Sequence, residues 1–270
     1  MIRNNVHRSA GTALHLRTTL DIAAFAAVVL VIVWGLTVGT ERLGYNWQWY
    51  RVPRYIGLID DGGFRAGPLL QGLWVTVRIT AVGMVMAFTI GLVTALLRLS
   101  RSFAAIAAAR GYLELIRNTP LLIQLFFIYF VIAPVVDMSA FTAAVLALSL
   151  FEGSYISEII RSGVLSVSRG QWEASYSLGL STWQTYRYVI LPQAVRRVLP
   201  PLTSQAISLI KDSALVSTIA IYDLTMQGQA VIAETFLTFE IWFTVAAIYL
   251  VITVSLSFLV HMLEDWVHLE

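Results

Sequence analysis

The chain contains no cysteine, which removes disulfides, thiol nucleophiles and cysteine-ligated zinc or iron–sulfur centres. Lysine occurs once, at Lys211, in the context SLIKD. A phosphate-binding P-loop needs a glycine-rich turn leading into its lysine, so no Walker-type nucleotide site is encoded. The four histidines, His7, His15, His261 and His268, lie near the two ends without a metal-ligand grouping. Gly-x-Ser-x-Gly is absent, and an intramembrane aspartyl protease needs two facing aspartates where only Asp212 is expected within the membrane. No block of like charges suggests a nucleic-acid-binding arm. Charge is scarce throughout: 13% of residues are charged, against about 25% in an average soluble protein. Hydrophobic residues make up 58%, and the mean hydropathy is +0.75. One soluble core cannot hide that much apolar surface, which excludes a water-soluble globular enzyme.

Where the charges stand reveals the architecture. Nineteen uncharged residues separate Asp21 from Glu41, nineteen separate Arg78 from Arg98, and nineteen separate Arg117 from Asp137. Between Glu240 and Glu264 there are 23. At about 1.5 Å per residue, nineteen helical residues match the roughly 30 Å hydrocarbon layer of a bilayer. Two further stretches are interrupted. FTAAVLALSLF, after Met138, becomes a full span only if Glu152 and Glu158 are tolerated on its inner face, and the run from Val198 to Tyr222 contains Lys211 and Asp212. The sequence therefore predicts an all-α, polytopic membrane protein with about six transmembrane helices, near 21–40, 70–97, 113–134, 139–161, 196–222 and 239–262. Thr119-Pro120 reads as a kink or a start near the third helix, simple helix entry being the favoured reading.

Twelve arginines fall on one side of this arrangement and five on the other. Basic residues stay cytoplasmic, so the N-terminus is expected inside. The first apolar run is longer than a signal-peptide core and no small-x-small cleavage site follows it, so it reads as an uncleaved anchor. The YNWQWY stretch beyond it suits an interfacial aromatic belt.

The longest cytoplasmic connection, residues 162–195, is patterned rather than loose. Gly170 is expected to break the chain, QWEASYSL to form two helical turns, and Gly179 to end them by accepting positive φ. Ser181 then opens S-T-W-Q, a capping box with Gln184, and a second helix runs through Tyr186 to Ile190 before stopping near Pro192.

The order E-A-S-x3-G-x9-V-x-L-P, from Glu173 to Pro192, resembles the loop signature of ATP-binding-cassette importer permeases. Ser175 and Val189 stand where that family usually has Ala and Ile. IRNTPLLIQLFFIYF (116–130), YISEIIRSG (155–163), RGQWEA (169–174), LPQAVRRVLPPL (191–202) and LIKDSALVSTI (209–219) resemble its polar amino-acid subgroup, of histidine, glutamine, glutamate, arginine or opine type. The resemblance spans roughly 68–262. It implies a five-helix importer-permease core plus an extra N-terminal helix, in a bacterial inner membrane. The domains are then 1–68 (cytoplasmic N-terminus, first helix and outer segment), 69–262 (permease domain with the coupling loop) and 263–270 (cytoplasmic tail). It further implies a dimer of cassette ATPases that binds the ATP and magnesium, a second permease subunit, identical or related, and an extracytoplasmic binding protein that delivers a polar amino acid. Gly170, Glu173, Ala174 and Gly179 would couple to the ATPase, with Glu173 making a charge-assisted contact and Ala174 allowing close approach.

Ionisable groups inside a membrane are costly and usually face a cavity or a partner. Glu158 and Arg161, three residues apart, read as a structural pair. Lys211 and Asp212 project about 100° apart on a helix. Asp212, with Ser213 and Gln124, suits a substrate ammonium; a network tying Lys211 and Asp212 to Glu152 is the alternative. The resembled subgroup more often has an uncharged residue at Glu152. The same importer class carrying an opine or another small polar solute, and a stand-alone secondary carrier, are the competing functions.

Overall fold

The computed structural model describes residues 3–42, 44–60 and 63–268, in two units that meet between Trp49 and Tyr50. Part of the predicted 263–270 tail, and the side chains of the four histidines and of Arg3, Arg8 and Arg17, lie outside the described residues.

The first unit is dominated by α1 (Arg3–Arg42), which extends the predicted 21–40 helix toward the N-terminus. Its Leu20–Gly39 window is long and apolar enough to cross a membrane, and none of it is buried within the chain. Beyond α1, Trp47 stacks on Trp49 at 5.8 Å and meets Tyr45 edge-on at 5.4 Å.

The second unit opens with α2 (Pro53–Ile56) and an antiparallel hairpin, β1 (Gly57–Asp60) with β2 (Gly63–Ala66), which the all-α expectation did not include. Next come α3 (Pro68–Leu99), α4 (Phe103–Arg117), α5 (Leu121–Phe126), α6 (Ala133–Val135) and α7 (Ala140–Leu165). The chain continues through α8 (Arg169–Ser177), α9 (Thr182–Thr185), α10 (Leu191–Asp212), α11 (Leu224–Thr235) and α12 (Thr238–His268). Among the described residues four helices are long and apolar enough to span a bilayer: α1, α3, α7 and α12.

The centre of the unit is the α3–α7 seam. Gly91 and Gly153 let the two backbones approach, and the Ser149 hydroxyl donates across the seam to the Gly83 carbonyl at 3.1 Å. A Cβ on Gly91 would stand 2.5 Å from Ile156 Cγ2 and 2.9 Å from the Gly153 oxygen. Ile79, Leu148, Leu209 and Val216 are completely buried in one apolar cluster, which joins α3 and α7 to α10 and the turn that follows α10. Arg98 and Arg161 both pair with Glu158, so the predicted Glu158–Arg161 pair also fastens the end of α3 to α7.

Three predicted helices need correction. The 113–134 helix is broken, with α4 and the following Leu121–Val135 column bent by 103°. Pro120 lacks a donor and biases Thr119 away from helical backbone. Asn118 and Thr119 turn their side chains onto the Glu114 and Leu115 carbonyls instead of extending the helix. The column then contains a π-helical turn at Phe127–Ile132. The 196–222 helix ends at Asp212 and tightens into a 3-10 turn over Ser213–Ile219. The hydroxyls of Ser213, Ser217 and Thr218 each bond the carbonyl three residues back, and Ala220 is left-handed (φ 58°) before α11 begins. Finally, Pro192 does not stop a helix: α9 passes through a π-helical turn at Tyr186–Ile190 into α10, and Pro192 sits in the first turn of α10, where a missing donor costs little.

Candidate functional site

Two groups of residues carry candidate function, one in the loop after α7 and one between α7 and α10. In the loop, α8 starts at Arg169, so Gly170 lies inside its first turn and does not break the chain as expected. The break falls just earlier, after Leu165. Gly179 has φ +76°, and its N–H bonds the Tyr176 carbonyl while Leu180 N–H bonds that of Ser175. This double closure is the Schellman arrangement, which needs a left-handed residue where Gly179 stands. The Ser181–Gln184 capping box then starts α9. Trp172 meets Tyr186 edge-on at 5.1 Å, over a small core of Val164, Val167, Ile190 and Ala194 that anchors the loop to the membrane domain. Arg197 donates to the Ser166 carbonyl and, at 2.9 Å, to its hydroxyl.

This packing fixes what the loop presents. Glu173 and Ala174 are exposed, and Ser175 is buried with its hydroxyl on the Gln171 carbonyl. Among the described residues the Glu173 carboxylate has no hydrogen-bond or ion-pair partner. Leu178 (80% exposed) and Trp183 (73%) stand free beside Tyr176 and Tyr188. The sequence reading missed these apolar residues, although four large apolar side chains in an otherwise polar segment were visible there. A rigid, apolar surface with one free carboxylate is suited to protein docking.

Inside the membrane domain, Glu152 on α7 is 1% exposed. Its Oε2 accepts a hydrogen bond from Gln205 Nε2 at 2.8 Å, and its carboxyl group lies close to that of Asp212 on α10. Of the predicted Lys211–Asp212–Glu152 network, the Glu152–Asp212 approach is present, and Gln205 joins it at Glu152. Lys211 is exposed, and no described ion pair links it to either carboxylate, because its side chain leaves the helix on another face. Ser213 is fully buried and donates back to the Ile210 carbonyl, away from the pair. Gln124 does not meet the pair either. Its amide nitrogen donates to the Ile116 and Thr119 carbonyls exposed by the helix break, while its Oε1 is buried without a partner. Gln205 was missed. Its spacing of seven residues before Asp212, two helical turns on one face, was the available signal.

An apolar multi-helix body, an ordered docking loop and a polar group buried between two helices together define a membrane-transport subunit. The chain belongs to the family of binding-protein-dependent transport system inner membrane components, which matches residues 87–269, and it is a permease subunit of an ATP-binding-cassette importer. It is 43% identical over 199 residues to the glutamine transport system permease protein GlnP of Escherichia coli (strain K12), covering 73% of this chain and 91% of that protein. It is 36% identical over 211 residues to the nopaline transport system permease protein NocM of Agrobacterium fabrum, covering 74% and 88%. Its fold matches the crystal structure of an amino acid ABC transporter with histidines at TM-score 0.70 and 38% identity, over 73% of this chain and 93% of that one.

Proposed function

We propose that the chain forms the translocation path for a polar amino acid in a bacterial inner membrane. It works with a second permease subunit, an ATPase dimer that binds ATP and magnesium, and an extracytoplasmic binding protein. The observation that carries this reading is the ordered loop with its free Glu173 carboxylate and exposed apolar side chains, a surface suited to receiving an ATPase subunit. Gly170, Glu173, Ala174 and Gly179 remain the coupling residues, joined by Leu178 and Trp183.

An amino acid crossing a low-dielectric layer needs a partner for its ammonium group. The Glu152–Asp212 pair is the best-placed group in the domain, because two neighbouring acidic side chains between α7 and α10 attract a substrate cation. Gln205 then holds Glu152 in position. Likeness to a nopaline permease supports a second reading, in which the cargo is an opine. Co-purification from a strain expressing the chain with the neighbouring cassette ATPase tests the assignment. The complex should hydrolyse ATP faster when the loaded binding protein is added. An isolated chain that takes up substrate without an ATPase would instead make it a secondary carrier.

A further inference from the structure

The α5–α6 column carries a second concentration of unusual geometry, at the end of α7 remote from the docking loop. The π-helical turn at Phe127–Ile132 and the left-handed Asp137 (φ 52°) bracket a cavity of about 350 Å³ lined by Tyr129, Phe130, Asp137, Met138 and Ala140, among others. The left-handed Asp137 closes the column, with Met138 N–H on the Ala133 carbonyl, and the two features together set which side chains line the cavity. What they aim is chemically coherent. Asp137 is exposed, and its carboxylate has no hydrogen-bond or ion-pair partner among the described residues. Tyr129 and Phe130 form an edge-to-face pair at 4.8 Å, with Phe130 60% exposed. A free carboxylate beside two aromatic rings, in a recess of this size, is a combination that holds organic cations, by charge and by attraction to the ring faces.

Position gives the recess a role. It adjoins the start of α7 at Ala140, and the docking loop leaves α7 after Leu165. The 26 residues of α7 separate the two by roughly 39 Å at 1.5 Å per residue. The recess therefore opens on the membrane face opposite the docking loop, the face at which an importer's cargo arrives.

We propose that this recess is an outer intake site for a small organic cation, an ammonium or guanidinium group, held by the Asp137 carboxylate and the rings of Phe130 and Tyr129. It rests on the importer reading above and adds a binding step before the Glu152–Asp212 pair.

The absence of native cysteine makes a direct test available. The chain carrying Ala140→Cys, in lipid nanodiscs, is treated with 2-aminoethyl methanethiosulfonate and separately with its anionic 2-sulfonatoethyl counterpart. The cationic-to-anionic rate ratio is divided by the same ratio for a free small-molecule thiol. The normalised ratio should stand well above one. Adding Asp137→Asn should lower it about five-fold, as expected for loss of one charge close to the cation. Adding Phe130→Leu should lower it about two- to five-fold, and adding Phe130→Tyr, which keeps the ring, should leave it unchanged. A normalised ratio near one overturns the proposal. So does a ratio that ignores Phe130→Leu, since only a surface charge would then act. Absence of reaction with either reagent also overturns it, because the recess would be covered by lipid or a second copy. None of these readouts uses uptake, so the intake site can fail while the importer reading stands.

Discussion

The Glu152 and Asp212 carboxyl groups lie close together across α7 and α10, and Gln205 donates to Glu152. Such a pair has no preferred occupant other than a proton or a cation. Asp212→Asn keeps a donor for Glu152, so the melting temperature should stay within a few degrees of the wild type. Uptake should fall about ten- to a hundred-fold, the value of one hydrogen bond to a charged group. Measuring melting and uptake on one preparation separates the two roles. A large loss of stability with unchanged uptake would make the pair structural. At this scale the sequence was only partly readable. Asp212 and Glu152 stood out as acids in apolar runs, but Gln205 did not, because residues 53 apart meet only when the helices pack.

At the scale of elements, the α3–α7 seam depends on glycine contacts. Gly91→Ala places a methyl against Ile156 and the Gly153 carbonyl, and such overpacking should cost about 1–3 kcal/mol. Gly111→Ala, where a Cβ meets nothing within 4 Å, should leave the melting temperature of the isolated chain unchanged. Thermal unfolding of the two variants side by side checks the seam. The docking loop depends on a different glycine property. Gly179→Ala strains the left-handed corner by about 1–2 kcal/mol, and Gly179→Pro also removes the N–H that closes on Tyr176. Both variants should still insert, but the proline variant should lose the ATPase on co-purification, with the alanine variant intermediate. Retention of normal ATP-driven uptake by Gly179→Pro would remove the loop from the mechanism. The loop was legible in advance because its signals are local: a glycine corner, a serine cap and a glutamine three residues later. Pro192 was misread, and Thr119-Pro120 left a kink and a helix start both open, for one shared reason. Proline lacks a donor and restricts its neighbour, but whether a helix passes through, bends or stops depends on which groups satisfy the freed carbonyls. Gln124 does so at the α4–α5 break.

For the whole molecule, the balance of twelve arginines against five predicts that the docking loop lies on the cytoplasmic side. Cysteine introduced at Ser181 should react only with reagent reaching the cytoplasmic side, and cysteine at Ser139 only from outside. Labelling of intact cells with an impermeant maleimide reads this directly, and outside labelling at Ser181 would invert the topology.

The sequence by itself determined the apolar, helical character of the chain and, within the docking loop, the Gly179 corner and the Ser181–Gln184 cap. Each of these is a property of composition or of residues within about ten positions of one another. Only the tertiary structure decided that Gln205 rather than Lys211 attends Glu152, that Gln124 serves a helix break, and that the run ending at Tyr222 turns after Asp212. Those outcomes depend on which helix faces pack together. Side-chain direction follows from the local backbone, but the identity of the neighbour it meets follows from the assembly of the whole bundle.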